Sequence, residues 1–209
     1  MTKIAVLVSG GGTNLQALID AQQAGMFENG AITAVISSKQ GAYALERAAK
    51  AGIPGYVIPR KDYPSNRAMT VALVEKLKEL EIDLVVLAGC MVIFTNELVE
   101  AYPNAIMNVH PALIPSFCGE GYYGLHVHEK ALEYGVKLSG ATVHFVTEEC
   151  DGGPIIAQQA VPVLNGDTPE ILQKRIMEQA EWKILPEAVA LFCQGRLSVE
   201  GRTVIIKEN

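Results

Sequence analysis

Two side chains with chemical use stand two residues apart in I-M-N-V-H-P-A-L-I-P, residues 106–115: the amide of Asn108 and the imidazole of His110. In an extended strand, residues i and i+2 leave the same face, so amide and imidazole point together while Met107 and Val109 enter the opposite layer. Such a pair can donate to an oxygen that gains negative charge and can move a proton. Pro111 has no N–H for a central ladder and ends the strand at His110. Both groups are then left at a carboxyl-terminal strand edge, where open α/β sheets carry their ligands. A core histidine capped by a turn is the plain alternative. A third polar residue, Asp151, lies in E-E-C-D-G-G, a composition suited to a turn. Sequence spacing alone does not bring it to His110, and a turn aspartate is common.

A different chemistry is written near the start, in S-G-G-G-T-N-L-Q-A-L-I-D-A from Ser9. Gly10, Gly11 and Gly12 permit a tight turn and close backbone approach, Thr13 or Asn14 can cap, and Leu15, Leu18 and Ile19 give a helical apolar face. A strand, a glycine loop and a helix N-terminus in that order make an anion site, because free N–H groups and the helix dipole converge there. The motif is neither G-x-G-x-x-G nor a phosphate loop with G-K-[ST], which favours a single phosphate over a dinucleotide. A glycine-rich turn without a ligand is the alternative reading.

Positioning these groups requires a layered fold. Lys3 to Val8 is a Val-, Ile- and Leu-rich run of the kind that fills a strand buried on both faces, and Ile32 to Ser37 and Asp83 to Ala88 repeat it, with a short third strand at Tyr56 to Ile58. Helices are predicted over Ala42 to Ala51, closed by Gly52, over Ser65 to Leu80, and over residues 95–102. The Ser65 to Leu80 helix has its apolar stripe at Ala68, Val71, Ala72, Val74 and Leu77. Strands alternating with helices imply a mostly parallel sheet with right-handed crossovers.

After Pro115 the pattern changes. Ser116 to Gly124, S-F-C-G-E-G-Y-Y-G, carries three glycines and three aromatics and reads as a mobile surface loop able to fold over a ligand. Leu125 to Tyr134 reads as a helix stopped by Gly135. Ser139 to Val146 alternates as a strand, with Ala141, Val143 and Phe145 on one face and Thr142, His144 and Val146 on the other, and Pro154 to Val163 returns beside it. A long helix from about Thr168 to Cys193 is capped by Asp167 or Thr168 and kinked or broken at Pro186, and Leu197 to Ile206 is a strand or hairpin around Gly201. With no repeat and no linker, the chain reads as one domain over 1–209. The expected class is α/β and Rossmann-like: a mostly parallel twisted sheet, helices on both faces and antiparallel C-terminal strands.

Composition narrows the partners. At 209 residues, 49% hydrophobic and 19% charged, without an apolar run long enough to cross a bilayer, the chain reads as soluble, globular and not a membrane protein. A net charge of -6 argues against sequence-independent binding of nucleic acid, though a local site can still hold a small anion. The N-terminal apolar segment is too short for a signal peptide and leads into the glycine loop, so a cytoplasmic location is expected. Cys90, Cys118, Cys150 and Cys193 form no C-x-x-C pair and imply neither a zinc knuckle nor a disulfide framework. His126 and His128 make an H-x-H pair, with His144 on a strand elsewhere and no third ligand at useful spacing; they read as surface or packing histidines, and no metal is expected.

The glycine loop, the N-V-H-P-A-L-I-P run and H-F-V-T-E-E-C-D-G-G-P from His144, in that order and spacing, resemble the folate-dependent formyltransferases over Ile4 to about Arg196. The resemblance implies transfer of a formyl group from 10-formyltetrahydrofolate, as co-substrate, to the primary amine of glycinamide ribonucleotide in purine biosynthesis. Matched position by position, it makes Asn108, His110 and Asp151 the catalytic trio. Attack of the amine on the formyl carbon builds negative charge on oxygen, which the Asn108 amide and a protonated His110 would stabilise. Asp151 would favour the charged imidazole and help move protons. Gly12, Thr13 and Asn14 would bind the ribonucleotide phosphate. Glu181, five residues before Pro186, matches an acidic position associated with the ribonucleotide, against a plain reading as a solvated helix face.

On the folate side the resemblance assigns Met91, Val92, Ile93 and Phe94 to the border of the pterin. Asn108 and the turn from Glu148 to Asp151 would close its pocket, and Arg67 would lie near the folate tail. It divides the domain into a nucleotide-phosphate-binding half, about 1–105, and a catalytic and folate-binding half, about 106–209, in a monomer or homodimer. Two features depart from the family pattern. Val92 stands where a basic residue follows the methionine, removing one charged contact, and Ser116 to Gly124 is longer than the short proline-glycine turn of relatives. Within the family the alternatives are a methionyl-tRNA formyltransferase, expected to carry a further C-terminal nucleic-acid-binding domain, and a formyltetrahydrofolate hydrolase, expected to carry an N-terminal regulatory domain. Outside it stand a non-catalytic nucleotide-binding module and a Rossmann oxidoreductase. Against the oxidoreductase, the dinucleotide fingerprint is absent and the second strand runs into Ser37, Ser38 and Lys39 rather than an acidic ribose ligand.

Overall fold

The computed structural model describes residues 1–208. Its first half lays down five parallel strands, β1 (Thr2–Val8), β2 (Gly30–Ser37), β3 (Gly55–Val57), β4 (Leu84–Leu87) and β5 (Ile106–His110). They are joined through α1 (Thr13–Gln23), α2 (Tyr43–Lys50), α3 (Asn66–Glu79) and α4 (Asn96–Ala101). The direction then reverses. After α5 (Leu125–Tyr134), β6 (Leu138–Phe145) runs antiparallel to β5, and β7 (Ile155–Pro162) runs antiparallel to β6. Helices α6 (Pro169–Ile176) and α7 (Trp182–Cys193) precede a terminal hairpin, β8 (Leu197–Glu200) and β9 (Thr203–Ile206). Among the described residues the strands form one nine-stranded sheet in the order β3-β2-β1-β4-β5-β6-β7-β9-β8. The single α/β domain with a mostly parallel sheet and antiparallel C-terminal strands is the architecture the pattern predicts.

The two-residue period of β1 shows why both faces must be covered. Ile4, Val6 and Val8 enter one core with Leu15 and Leu18 of α1 and Leu185 and Val189 of α7, while Ala5 and Leu7 enter a second core with Leu73 and Leu77 of α3. Each fully buried Leu, Ile or Val contributes about 1.5–3 kcal/mol of transfer free energy, so a strand apolar on both faces is stable only between two helix layers.

Two local expectations need correction. The buried stripe of α3 is Met69, Thr70, Leu73, Val74 and Leu77, and Val71 is exposed. Ser65 caps the helix by accepting from the Ala68 N–H, and the larger Met69 and Leu73 fill the core in place of Ala68 and Ala72. Nor does Pro186 break the long C-terminal helix, because it sits within α7, where one missing N–H forgoes a single helical bond. The discontinuity is a π-helical turn, Met177–Glu181, directly before α7. Of the two proposed caps, Thr168 accepts from the Ile171 N–H, while Asp167 is held by Arg175 at 2.5 and 2.6 Å.

The start of α1 also differs. Neither Thr13 nor Asn14 caps it; Gly12 takes the N-cap position at φ 72° with no side-chain hydrogen bond. A Cβ on Gly12 would meet the Ala44 Cβ at 2.7 Å and Cα at 2.9 Å, so the left-handed turn and the close packing of α1 on α2 both require glycine. Replacing Gly12 with Ala is therefore expected to destabilise the fold by about 1–3 kcal/mol, through strain and overpacking together, read as a lowered midpoint in urea unfolding. An unchanged midpoint would show that the loop relaxes freely.

Candidate active site

The reversal at β6 sets Asn108 opposite His144 and His110 opposite Thr142 across one antiparallel ladder. Opposed side chains on one face lie within contact range, and the turn after β6 folds Asp151 back onto them. The Asn108 Nδ2 lies 3.2 Å from the His144 Nε2 and 3.5 Å from the Asp151 Oδ1. The His110 Nδ1 is 3.5 Å from the Asp151 Oδ2, and the His144 Nε2 is 3.6 Å from the Asp151 Oδ1. Asp151 adopts φ 53°, a left-handed conformation that Asp tolerates better than most residues and that turns its carboxylate back over the sheet edge. Asn108, His110 and Asp151 therefore meet as the motifs implied.

His144 is the member that sequence reasoning missed. Its Nδ1 donates to the Phe145 carbonyl at 2.8 Å, which leaves Nε2 to meet the Asn108 amide. The strand alternation had already placed His144 on one face with Thr142; what was lacking was the partner strand.

The loop from Ser116 to Gly124 does more than border this cluster. The His110 Nε2 donates to the Phe117 carbonyl at 2.7 Å, and the Gly119 N–H donates to the Asp151 Oδ2 at 3.0 Å. The Phe117 ring is held edge-on by Tyr122 and Tyr134, with centroids 6.3 and 6.0 Å away. In this conformation the loop lies on the trio itself. Burial holds the His110 pKa below its ordinary value, although Asp151 and the Phe117 carbonyl both pull it upward; His144 lowers it further. A standing imidazolium at His110 is thus corrected for the covered state: desolvation outweighs the aspartate. Burial also opposes ionisation of Asp151, but His144, His110 and the Gly119 N–H together hold its carboxyl below the usual range.

The glycine loop supplies the second cluster. Its backbone is fixed by the Ala44 N–H on the Gly10 carbonyl at 3.1 Å and by the Arg47 Nε on the Gly11 carbonyl at 2.9 Å. The first N–H groups of α1 carry no side-chain cap, the condition under which a helix N-terminus accepts an anion. Asn14 faces inward and donates its Nδ2 to the Glu181 Oε2 at 2.6 Å. Glu181 is only 6% exposed, which overturns the solvated-face alternative. The π-helical turn carries it inward at its last residue, a placement that apolar spacing does not reveal. Burial pushes its pKa up to about 7, with the Asn14 amide opposing the shift.

The residues assigned to the folate side are more dispersed. Met91 and Ile93 are exposed, while Val92 and Phe94 line an apolar hollow with Leu7, Ile36, Met69 and Leu73. The Met91 N–H is already given to the Ser9 Oγ at 2.8 Å. Arg67 projects from the start of α3 and pairs with Glu97 at 2.5 Å, and Glu148 is exposed in its turn; neither bonds to the trio. The H-x-H pair splits: His126 is exposed and 3.1 Å from Glu129, whereas His128 is wholly buried without a hydrogen-bond partner. Burial, with a smaller contribution from the neighbouring His110, lowers the His128 pKa to about 4. Among the described residues no group of three or more His, Cys, Asp and Glu is placed to hold a metal ion, and the four cysteines are free.

An Asn-His-Asp cluster thus stands at one strand edge of the α/β sheet and a glycine loop with an uncapped helix N-terminus at another, groups suited to proton transfer and to holding an anion. The chain belongs to the formyl transferase family, whose model matches residues 2–189. It is 43% identical to a phosphoribosylglycinamide formyltransferase of Haemophilus influenzae, covering 96% of this chain and 91% of that protein. It is 42% identical to the chloroplastic enzyme of the same name from Arabidopsis thaliana, covering 93% of this chain and 66% of the relative. Of the trifunctional purine biosynthetic proteins of animals it spans 14% to 20%. A crystal structure of glycinamide ribonucleotide transformylase 1 from Symbiobacterium toebii superposes with a TM-score of 0.94 at 48% identity, over 100% of this chain and 95% of that one.

Glu181 yields a signed prediction. An acid whose folded pKa is raised from 4.5 to about 7 favours the folded state below pH 4.5 and loses that advantage as pH climbs through 7. Glu181→Gln, which keeps the shape and the Asn14 contact without the charge, should therefore be more stable than the parent at pH 8 by roughly 2–3 kcal/mol and equal to it near pH 4. Thermal unfolding at the two pH values measures the difference, and equal stability at pH 8 would refute the buried charge.

Proposed function

We propose that the protein transfers the formyl group of 10-formyltetrahydrofolate to the primary amine of glycinamide ribonucleotide, a step of purine biosynthesis. The observation that carries this reading is the convergence of Asn108, His110 and Asp151 through contacts of 3.5 Å at the end of β5. Family membership and the names of the relatives support it.

Chemically, the neutral amine attacks the formyl carbon, a tetrahedral centre forms, and the bond from that carbon to the folate nitrogen breaks as a proton passes from the amine to that nitrogen. Asn108 offers an N–H to the developing oxyanion. His110 serves as the second donor once its Nε2 is released from the Phe117 carbonyl, which requires the loop to lift. Leaving the covered state also relieves desolvation, so the pull of Asp151 then favours the imidazolium. Asp151 carries protons between the amine and the leaving nitrogen, and His144 holds the Asn108 amide and the Asp151 carboxylate in register.

The phosphate is assigned to Gly12, Thr13 and Asn14 at the uncapped start of α1, and Glu181 to the ribonucleotide beside Asn14. Met91 to Phe94 and the Glu148 to Asp151 turn are assigned to the pterin, and Arg67, here paired with Glu97, to the folate tail. In this reading the phosphate site and the Arg67 and Met91–Phe94 folate contacts belong to about 1–105, and the trio with the rest of the folate site to about 106–209, of one domain. Among the described residues no helix is long and apolar enough to cross a membrane. A cytoplasmic monomer or homodimer completes the proposal.

Formylation assayed side by side with glycinamide ribonucleotide and methionyl-tRNA should proceed on the ribonucleotide; turnover of the tRNA alone would reject the acceptor. Asp151→Asn should keep the fold, since Asn also tolerates φ 53°, yet lose about 10²–10⁴-fold in kcat, the range expected for acid/base assistance. Removing the carboxylate should also lower the His110 pKa, read by NMR titration. Near-normal turnover with an unmoved titration would reduce Asp151 to a turn residue.

A further inference from the structure

Directly across the β5–β6 ladder from His110 stands Thr142, to which neither the motifs nor the proposed chemistry assigns a task. It is fully buried. Its Oγ1 donates to the Ala112 carbonyl at 2.7 Å and accepts from the Ile114 N–H at 3.1 Å and from the Gln158 Nε2 at 3.0 Å. One donor and two lone pairs are the whole capacity of a hydroxyl, so every site on it is used. Gln158, one strand further on in β7, also donates to the Ile114 carbonyl at 2.9 Å.

These bonds converge on the stem between His110 and the covering loop. Pro111 and Pro115 bracket it and bring no N–H of their own; within it the Ala112 carbonyl and the Ile114 N–H and carbonyl are met by side chains from the sheet, while the Leu113 carbonyl accepts from the Ser116 N–H at 3.0 Å. The stem joins two parts with opposite needs. A group that meets a reacting atom must be held to within about 0.5 Å, whereas the loop must leave for that atom to arrive. Unclamped, any displacement of Phe117 would pass back through the stem to the imidazole. Clamped at Ala112 and Ile114, the chain is free to pivot only beyond Pro115.

We infer that Thr142, braced by Gln158, is a positioning residue for formyl transfer: its hydroxyl decouples His110 from the motion of the loop. The inference rests on the proposed function for the reaction it serves, and on the hydrogen bonds alone for the clamp. Thr142→Val keeps β-branched shape and strand preference while deleting the hydroxyl. Gln158→Leu cuts the other arm from a different strand, so a folding failure in one variant leaves the other to report.

In both, amide exchange at Ile114 should accelerate about tenfold or more, the size of one lost net hydrogen bond, and the His110 titration should shift. With the proposed substrates, kcat should fall about tenfold while KM for glycinamide ribonucleotide holds, because the phosphate site lies on α1 rather than on the stem. Thr142→Ser, which restores the hydroxyl, should recover all three readouts. Parental exchange, titration and kcat in both variants would overturn the clamp, as would failure of the Ser variant to recover them. A parent that transfers no formyl group would instead count against the reaction, and the exchange and titration arms would still decide the clamp.

Discussion

Pro111 ends β5 one residue after His110, and the antiparallel return of β6 beside it creates the site. A parallel strand at that place would arrive from the opposite end of the sheet, by a crossover. By returning antiparallel, β6 sets His144 against Asn108 and Thr142 against His110, and its exit at Phe145 leads into the turn that swings Asp151 over both. Gly153 shows how close that return must be: a Cβ there would run into the Phe145 carbonyl. Asn108 and His110 are thus carried by β5 and His144 by β6, two paired strands, and only Asp151 rides on a turn.

The same crowding governs the charges. Two histidines and one aspartate share a largely dry corner, and the single carboxylate is in contact with both rings. Asp151 stays ionised because its donors outweigh desolvation, while His110 is kept from ionising because desolvation outweighs its acceptors. Relief of desolvation on admission of water favours protonation of this imidazole beside the anion, against the lost upward pull of the Phe117 carbonyl. Glu181 presents the opposite case, a lone carboxyl with one amide donor and no cation, whose pKa rises to about 7. An isolated buried acid of this kind gains most from a ligand that brings hydrogen-bond donors or positive charge to it.

The strands and helices were legible because they depend on local rules: apolar runs for the parallel strands, glycine at the left-handed ends of α2 and α5, proline at the end of β5. Asn108 with His110 followed from a period of two, and the return strand Ser139 to Val146 from its alternation. What was not legible depended on partners distant in sequence. His144 became a member of the site only through pairing with β5, and Glu181 became buried only because a π turn, which leaves no mark in apolar spacing, precedes α7. The discontinuity was assigned to Pro186 because proline is the visible helix breaker, yet α7 absorbs it. The α3 stripe slipped because alanines at the helix start were counted as core when larger neighbours fill it.

The covering loop shows how modest an energy separates the two states the site requires. Two direct hydrogen bonds, Phe117 to His110 and Gly119 to Asp151, hold it down together with the edge-on packing of Phe117. A neutral bond is worth about 0.5–1.5 kcal/mol net and one to a charged group about 1.5–3, because the freed groups regain water. Lifting the loop therefore costs only a few kcal/mol, within the reach of a ligand that binds the open form better than the closed one. The five glycines and prolines between Pro111 and Gly124 act unequally in this balance: the prolines stiffen the stem, and the glycines, at φ 88°, 88° and 56° for Gly119, Gly121 and Gly124, leave the cover easy to rearrange. A firmly held His110 beneath a weakly held cover is the combination that would let the imidazole keep its place while its partner changes from the Phe117 carbonyl to a ligand atom, as the proposed formyl transfer needs.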